Sequence, residues 1–240
     1  MDGASELDLA VVLPVYNEQA SIESVLLEWF PAVAAVTERF VFLIFDDGSS
    51  DRTPLLLEEL RARLGARLEI FRHVNRGHGQ TCLEGYREAL RRGARWVLQI
   101  DSDGQCDPRF FAEMWRSRET FDVIYGVRTR RDDGFRRALV SRVLCLFVLV
   151  TCGTWLPDPN VPYRLMRGRV LEPQLGRVPD SFSLVNVAMA LLLKRDPVCR
   201  HHYVPIRFRD RCGGEPTVRY GTFAHKAIEL RGDIRRMLGS

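Results

Sequence analysis

The chain has 240 residues, of which 46% are hydrophobic and 28% charged, and its formal net charge is +4. These values exclude a disordered chain and allow one domain with a substantial core. They also argue against a nucleic-acid partner, because the basic residues form no run longer than two and no binding motif accompanies them.

Residues 9–15 (LAVVLPV) are a continuous apolar run of strand length, the pattern of a strand buried on both faces. This early start leaves no room for a secretory leader, so the six cysteines, which form no C-x-x-C, are expected reduced in a cytoplasmic protein. Tyr16-Asn17-Glu18 closes the run, and a helical pattern covers residues 21–30. Residues 40–45 (FVFLIF) are a second buried strand that ends in Asp46-Asp47-Gly48-Ser49-Ser50-Asp51, with Thr53 and Pro54 opening a helix. A shorter strand at 68–71 ends at Asn75-Arg76-Gly77-His78-Gly79, a helix follows over 80–92, and a fourth strand covers 96–100. The second half is less regular: a strand at 121–127, an arginine-rich stretch at 128–137 and an apolar helix at 138–152. Pro157-Asp158-Pro159-Asn160 breaks that helix. A short strand at 161–166, a helix at 183–194, a strand at 202–208 and a basic amphipathic helix at 222–238 complete the chain. The longest apolar run, 143–152, is too short for a bilayer, which needs roughly 20 residues.

Strands alternating with helices imply an α/β fold with a mostly parallel central sheet flanked by helices, as one domain over residues 1–240. The polar clusters fall at the carboxyl ends of successive strands, where open α/β sheets place their ligand crevice. Asp46-Asp47, the loop with Gly77 and Gly79, and the segment from Asp101 to Gln105 should therefore converge. In an extended segment Asp101 and Asp103 would share a face. Two carboxylates and the Gln105 carbonyl are hard oxygens suited to Mg²⁺ or Mn²⁺, which complete their shells with water and substrate phosphates. A solvated turn after a strand is the plainer reading of D-x-D alone.

Together, Leu13-Pro14-Val15-Tyr16-Asn17-Glu18, the Asp46 to Asp51 block and Asp101-Ser102-Asp103 resemble family 2 glycosyltransferases of GT-A fold. Asp101-x-Asp103-x-Gln105 with Asp107-Pro108, Gly126-Val127-Arg128, Phe135-Arg136-Arg137 and the segment from Val204 to Gly214 look most like the dolichyl- or polyprenyl-phosphate sugar transferases. The resemblance implies a nucleotide-sugar half over about 9–107 and an acceptor-side half, smaller and partly antiparallel or helical, over about 108–240. By that resemblance Pro14, Tyr16 and Glu18 border the base and ribose, and Asp46 and Asp47 contact base or ribose. Gly77 and Gly79 line the donor, with Asp101. Asp101, Asp103 and Gln105 hold the metal, and Arg128, Arg137 and Arg211 bind phosphates.

The implied reaction is inverting, metal-dependent transfer of a hexose from GDP-mannose or a UDP-sugar to a polyprenyl phosphate. Such an acceptor is already ionised, so no protein base is needed. A sugar hydroxyl as acceptor would need one, and Asp158 is the candidate. Two other readings stay open: a UDP-sugar transferase acting on a soluble or cell-envelope carbohydrate, and a non-catalytic nucleotide-sugar-binding subunit. The sequence departs from the lipid-phosphate pattern at Gly214-Glu215-Pro216-Thr217 and at Asn160-Val161-Pro162-Tyr163-Arg164, both towards the acceptor. The helix at 138–152, with Arg136, Arg137 and Arg142 nearby, could meet a membrane interface at the inner face of the plasma membrane, pack in the interior or form a homodimer contact. His78, between two glycines, reads as a loop residue.

Overall fold

The computed structural model describes residues 7–131, 135–179, 182, 184–211, 232 and 234. Three apolar segments give parallel strands: β1 (Leu9–Val15), β2 (Phe40–Asp46) and β3 (Leu68–Arg72). Every residue of β1 and β2 is buried, so helices cover both faces of this part of the sheet, as their unbroken hydrophobicity requires. α1 (Ile22–Ala34) and α2 (Thr53–Leu64) connect these strands, and α3 (His78–Arg91) leads to β4 (Trp96–Gln99). β4 pairs in parallel with β1 on the side away from β2. The strand order is therefore β3-β2-β1-β4 here, and chain direction along the sheet reverses between β1 and β4. Open α/β sheets bind their ligands at such a reversal, beyond the carboxyl ends of the strands. Close approach helps build it: α3 lies so near β1 that a Cβ on Gly85 would come within 2.3 Å of the Val12 side chain.

The rest of the chain extends the same sheet. After α4 (Phe111–Ser117) come β5 (Val123–Arg131), α5 (Phe135–Cys152), β6 (Arg164–Arg167), α6 (Gly168–Leu175), α7 (Val185–Arg195) and β7 (His201–Phe208). β6 runs antiparallel to both β4 and β5, and β7 runs parallel to β5, which gives seven strands in the order β3-β2-β1-β4-β6-β5-β7. The expected α/β class and mostly parallel sheet are what the structure has. No described helix is long and apolar enough to cross a membrane.

Several boundaries differ from the sequence reading, each for a local reason. α1 continues through Pro31 to Ala34, because the exposed proline costs only a hydrogen bond that water replaces, while Val33 beyond it is fully buried. β5 begins at Val123 instead of residue 121, because the Asp122 carboxylate is taken up by Arg167, Arg169 and Arg200. β6 begins at Arg164 instead of residue 161, since Val161 belongs to a turn closed by its N–H donating to the Asp158 carbonyl. α3 starts at His78, two residues early, with Gly77 before it at φ 88°. The helix expected at 222–238, Gly213 to Thr217 and the start of the helix expected at 183 fall largely outside the described residues.

Candidate active site

The loop after β1 is laced to the loop after β2. Asn17 N–H donates to Ser49 Oγ at 2.9 Å, Glu18 N–H to Thr53 Oγ1 at 2.9 Å, and Ser50 N–H to Asn17 Oδ1 at 2.8 Å. Pro14 is buried and Tyr16 is 43% exposed, so Tyr16 is not core and presents its ring to solvent. Asp46 and Asp47 are both buried and already engaged. Asp46 Oδ1 accepts from Ser49 N–H at 2.8 Å, and its other oxygen lies 3.2 Å from Arg72 Nε. Asp47 accepts from the N–H groups of Arg76 at 2.6 Å and Gly77 at 2.9 Å, which fixes the loop that carries Gly77 and Gly79. Gly48, at φ 77°, lets the two loops meet: a Cβ there would lie 2.9 Å from the Asn75 nitrogen.

The D-x-D segment is not extended. β4 stops at Gln99, and Ser102 and Asp103 form a turn whose Ser102 hydroxyl donates to the Pro14 carbonyl at 2.9 Å. The two carboxylates still face one another closely enough to interact. Burial, and then the Asp101 charge beside it, push the Asp103 carboxyl up to about 6. Gln105 N–H donates to Asp103 Oδ1 at 3.0 Å, and Asp101 Oδ1 is buried with no hydrogen-bond partner. Gln105 Nε2 donates to the Arg209 carbonyl at 3.3 Å, so its Oε1 is the atom left for another partner. The donor set is two carboxylates and one amide oxygen, all hard, and neither carboxylate is bonded to an arginine among the described residues. That set fits Mg²⁺ or Mn²⁺, which need few protein ligands. Among the described residues no cluster of three or more His, Cys, Asp or Glu side chains offers a fuller cage.

Arg211 reaches over this turn. Its guanidinium pairs with Glu18, whose other oxygen accepts from Ser21 Oγ at 2.7 Å, and Arg211 Nε is buried without a partner. His78, read from sequence as a loop residue, is instead the first residue of α3, with Nε2 3.7 Å from Asp101 Oδ1 and 3.6 Å from Cys82 Sγ. Cys82 and Asp101 together favour its protonated form. Sequence gave no sign of this, because α3 begins earlier than its apolar periodicity does.

On the other side of the reversal, Arg128 in the second half of β5 makes a two-point bond to Asp158, 2.6 Å at each contact, and lies 5.1 Å from the Phe208 ring centroid. Both Asp158 oxygens are thereby committed, which counts against its role as a base. The Arg136 and Arg137 side chains lie outside the described residues. Thus Pro14, Tyr16, Glu18, Asp46, Asp47, Gly77, Gly79, Asp101, Asp103, Gln105 and Arg211 gather about the carboxyl ends of β1, β2, β3 and β4, and Arg128, in the second half of β5, holds Asp158.

Residues 10–190 match the family model described as glycosyl transferase family 2. The undecaprenyl-phosphate 4-deoxy-4-formamido-L-arabinose transferase of Edwardsiella ictaluri is 28% identical over 229 residues, which are 94% of this chain and 66% of that protein. The protein of the same description from Pseudomonas aeruginosa is 31% identical over 171 residues, 70% of this chain and 49% of that protein. The chain thus spans between about half and two thirds of the length of these curated relatives. Among solved structures, glucosyl-3-phosphoglycerate synthase from Mycobacterium tuberculosis, in complex with Mn²⁺, UDP-glucose and phosphoglyceric acid, superposes with a TM-score of 0.67. It is 20% identical, with 97% of this chain and 80% of that chain covered, and this likeness speaks to the fold.

Proposed function

The chain belongs to glycosyltransferase family 2, and from that premise we propose that it moves a hexose, with inversion, from a nucleoside diphosphate sugar to a polyprenyl phosphate. The observation that carries the donor half of this reading is the half-buried Asp101–Asp103 pair: the Asp101 charge helps raise the Asp103 carboxyl, and among the described residues no arginine is bonded to either, the cation at hand being His78, 3.7 Å from Asp101. A divalent cation held by Asp101, Asp103 and Gln105 would supply charge neutralisation for the departing diphosphate. The chain's own residues do the rest. Pro14, Tyr16 and Glu18 border the base and ribose, and Asp46 and Asp47 frame that side through the loops they hold. Gly77, Gly79 and the amino end of α3 meet the diphosphate, since helix N-termini favour anions. Arg211 exchanges its contact with Glu18 for a phosphate.

The acceptor reading draws on the relatives' descriptions and on two features of this chain. A phosphate nucleophile needs no base, in keeping with an Asp158 that is tied to Arg128. Arg128, with Arg137, would bind the acceptor phosphate. The side of α5 that looks outward carries Arg142, Val143, Leu146 and Val150, the last 75% exposed, with Trp155 after it at 57%. Cys145, on the inward side, donates to the Pro157 carbonyl at 3.4 Å, so α5 packs its buried side against the turn that carries Asp158. The outward face would rest on the membrane that holds the acceptor.

A thermal-shift screen of GDP-, UDP- and dTDP-sugars with and without Mn²⁺, followed by turnover with a short-chain polyprenyl phosphate, tests this directly. Metal-dependent stabilisation by one donor and transfer to the lipid are the expected results. Stabilisation indifferent to metal would favour a binding subunit, and transfer only to a free sugar would favour the carbohydrate acceptor. Flotation with anionic liposomes tests the α5 face, and loss of binding in Leu146→Asp is expected.

A further inference from the structure

Arg164 is 0% exposed, a full guanidinium in the interior. As the first residue of β6 it lies in register between Gln99 of β4 and Tyr125 of β5, between the strand that leads to Asp101 and the strand that leads to Arg128. Burying a cation is expensive unless its donors are satisfied. No carboxylate pairs with it among the described residues; its acceptors are backbone carbonyls. Nε donates to the Val161 carbonyl at 3.0 Å, Nη1 to that of Asn186 at 2.9 Å, and Nη2 to that of Pro159 at 3.4 Å and again to that of Val161. Its Cζ stands 5.4 Å from the Tyr125 ring centroid.

Those carbonyls belong to two segments. Pro159 and Val161 lie in the turn that carries Asp158, and Asn186 lies in the first turn of α7. Only a planar fork with donors on three nitrogens reaches all of them, so lysine could not replace it. Besides Cys145 on the Pro157 carbonyl and Arg128 on the Asp158 side chain, the turn has few ties among the described residues: two of its residues are proline, without an N–H to donate, and Val161 N–H bonds back to the Asp158 carbonyl. From this we infer that Arg164 is a positioning residue, which pins the turn at residues 157–161 to α7 so that Asp158 meets Arg128 squarely. It acts on the acceptor-side arginine through two relays, and touches neither substrate. That last step rests on the acceptor reading above; the pinning of the turn does not.

The test uses the full chain and the variants Arg164→Lys and Asp158→Asn. Hydrogen exchange of the Val161 amide, the one in the turn bonded to a carbonyl, reads the brace without any substrate. In Arg164→Lys this amide should exchange about tenfold faster, with those of residues 101–107 unchanged. In turnover with a short-chain polyprenyl phosphate, Arg164→Lys and Asp158→Asn should each raise the acceptor KM about tenfold while the donor KM stays within about twofold. Unchanged exchange at Val161 overturns the inference. So does faster exchange spread over the whole chain with both KM values moved, which is the signature of a merely structural charge. Should the parent fail to use any polyprenyl phosphate, the acceptor reading falls, while the exchange data still decide whether Arg164 holds the turn.

Discussion

Asp103 and Asp107 sit four residues apart in one loop, yet their environments are opposite. Burial alone would raise Asp107, but Arg109 and Arg209 outweigh it and hold that carboxyl at about 2. Asp103, half-buried beside Asp101, is pushed up to about 6. The same contrast separates the two sides of the strand reversal. Across it, Asp158 has Arg128 and Asp122 has three arginines. Arginine is abundant in this chain, with only Lys194 and Lys226 as lysines among 35 basic residues, so the lack, among the described residues, of one directly bonded to Asp101 or Asp103 is not for want of supply. The difference teaches that the acids built into structure receive arginine partners, while the pair proposed to hold a cation has only His78 beside Asp101 among the described residues.

The strongest way to break this comparison is to remove the unneutralised acid. Asp103→Ala should lower kcat/KM on the order of 10³-fold, the scale of losing a centre that stabilises charge in the transition state. Turnover like the parent's would end the proposal. Next comes the neutralised pair. Arg128→Ala leaves Asp158 buried without its cation and should cost about 3 kcal/mol in urea unfolding, whereas the joint replacement Arg128→Met with Asp158→Leu should recover most of it. Equal losses in the single and joint variants would mean the pair does not matter to the fold. A smaller effect sharpens the geometry: Ser102→Ala, which removes the bond to the Pro14 carbonyl, should cost about 1 kcal/mol and weaken Mn²⁺ binding only a few-fold. Titration calorimetry with Mn²⁺ and nucleoside diphosphate would read that change.

Much of this architecture was legible in the sequence. The unbroken apolar runs at 9–15 and 40–45 could only be strands covered on both faces, and the acidic tips at Asp46 and Asp101 marked one end of a parallel sheet. The candidate site gathered as expected because that end is also where the strand order reverses. What sequence could not give depended on long-range partners. Nothing near Asp158 announced that Arg128, thirty residues earlier, would occupy both of its oxygens. Arg164 read as one residue within a short strand at 161–166, and its burial is set by carbonyls of Pro159, Val161 and Asn186 that only folding brings together. His78 was hidden because glycines on either side mask the start of α3. Pro31 misled in the other direction, since its penalty depends on which face of α1 it occupies.

The most direct measurement of the central claim is the stability of Asp103→Asn without metal, across pH. An acid raised from 3.8 to about 6 by folding carries no penalty below about pH 4; the penalty grows between about pH 4 and 6 and is fully present above that. The asparagine variant should therefore melt higher than the parent at pH 8, by about 1–2 kcal/mol after allowance for solvent screening, with the gain vanishing near pH 4. Mn²⁺ should stabilise the parent at pH 8 and close that gap, and should leave the variant nearly unmoved. A variant less stable than the parent at pH 8, together with a parent indifferent to Mn²⁺, would mean that the two carboxylates are not waiting for a cation.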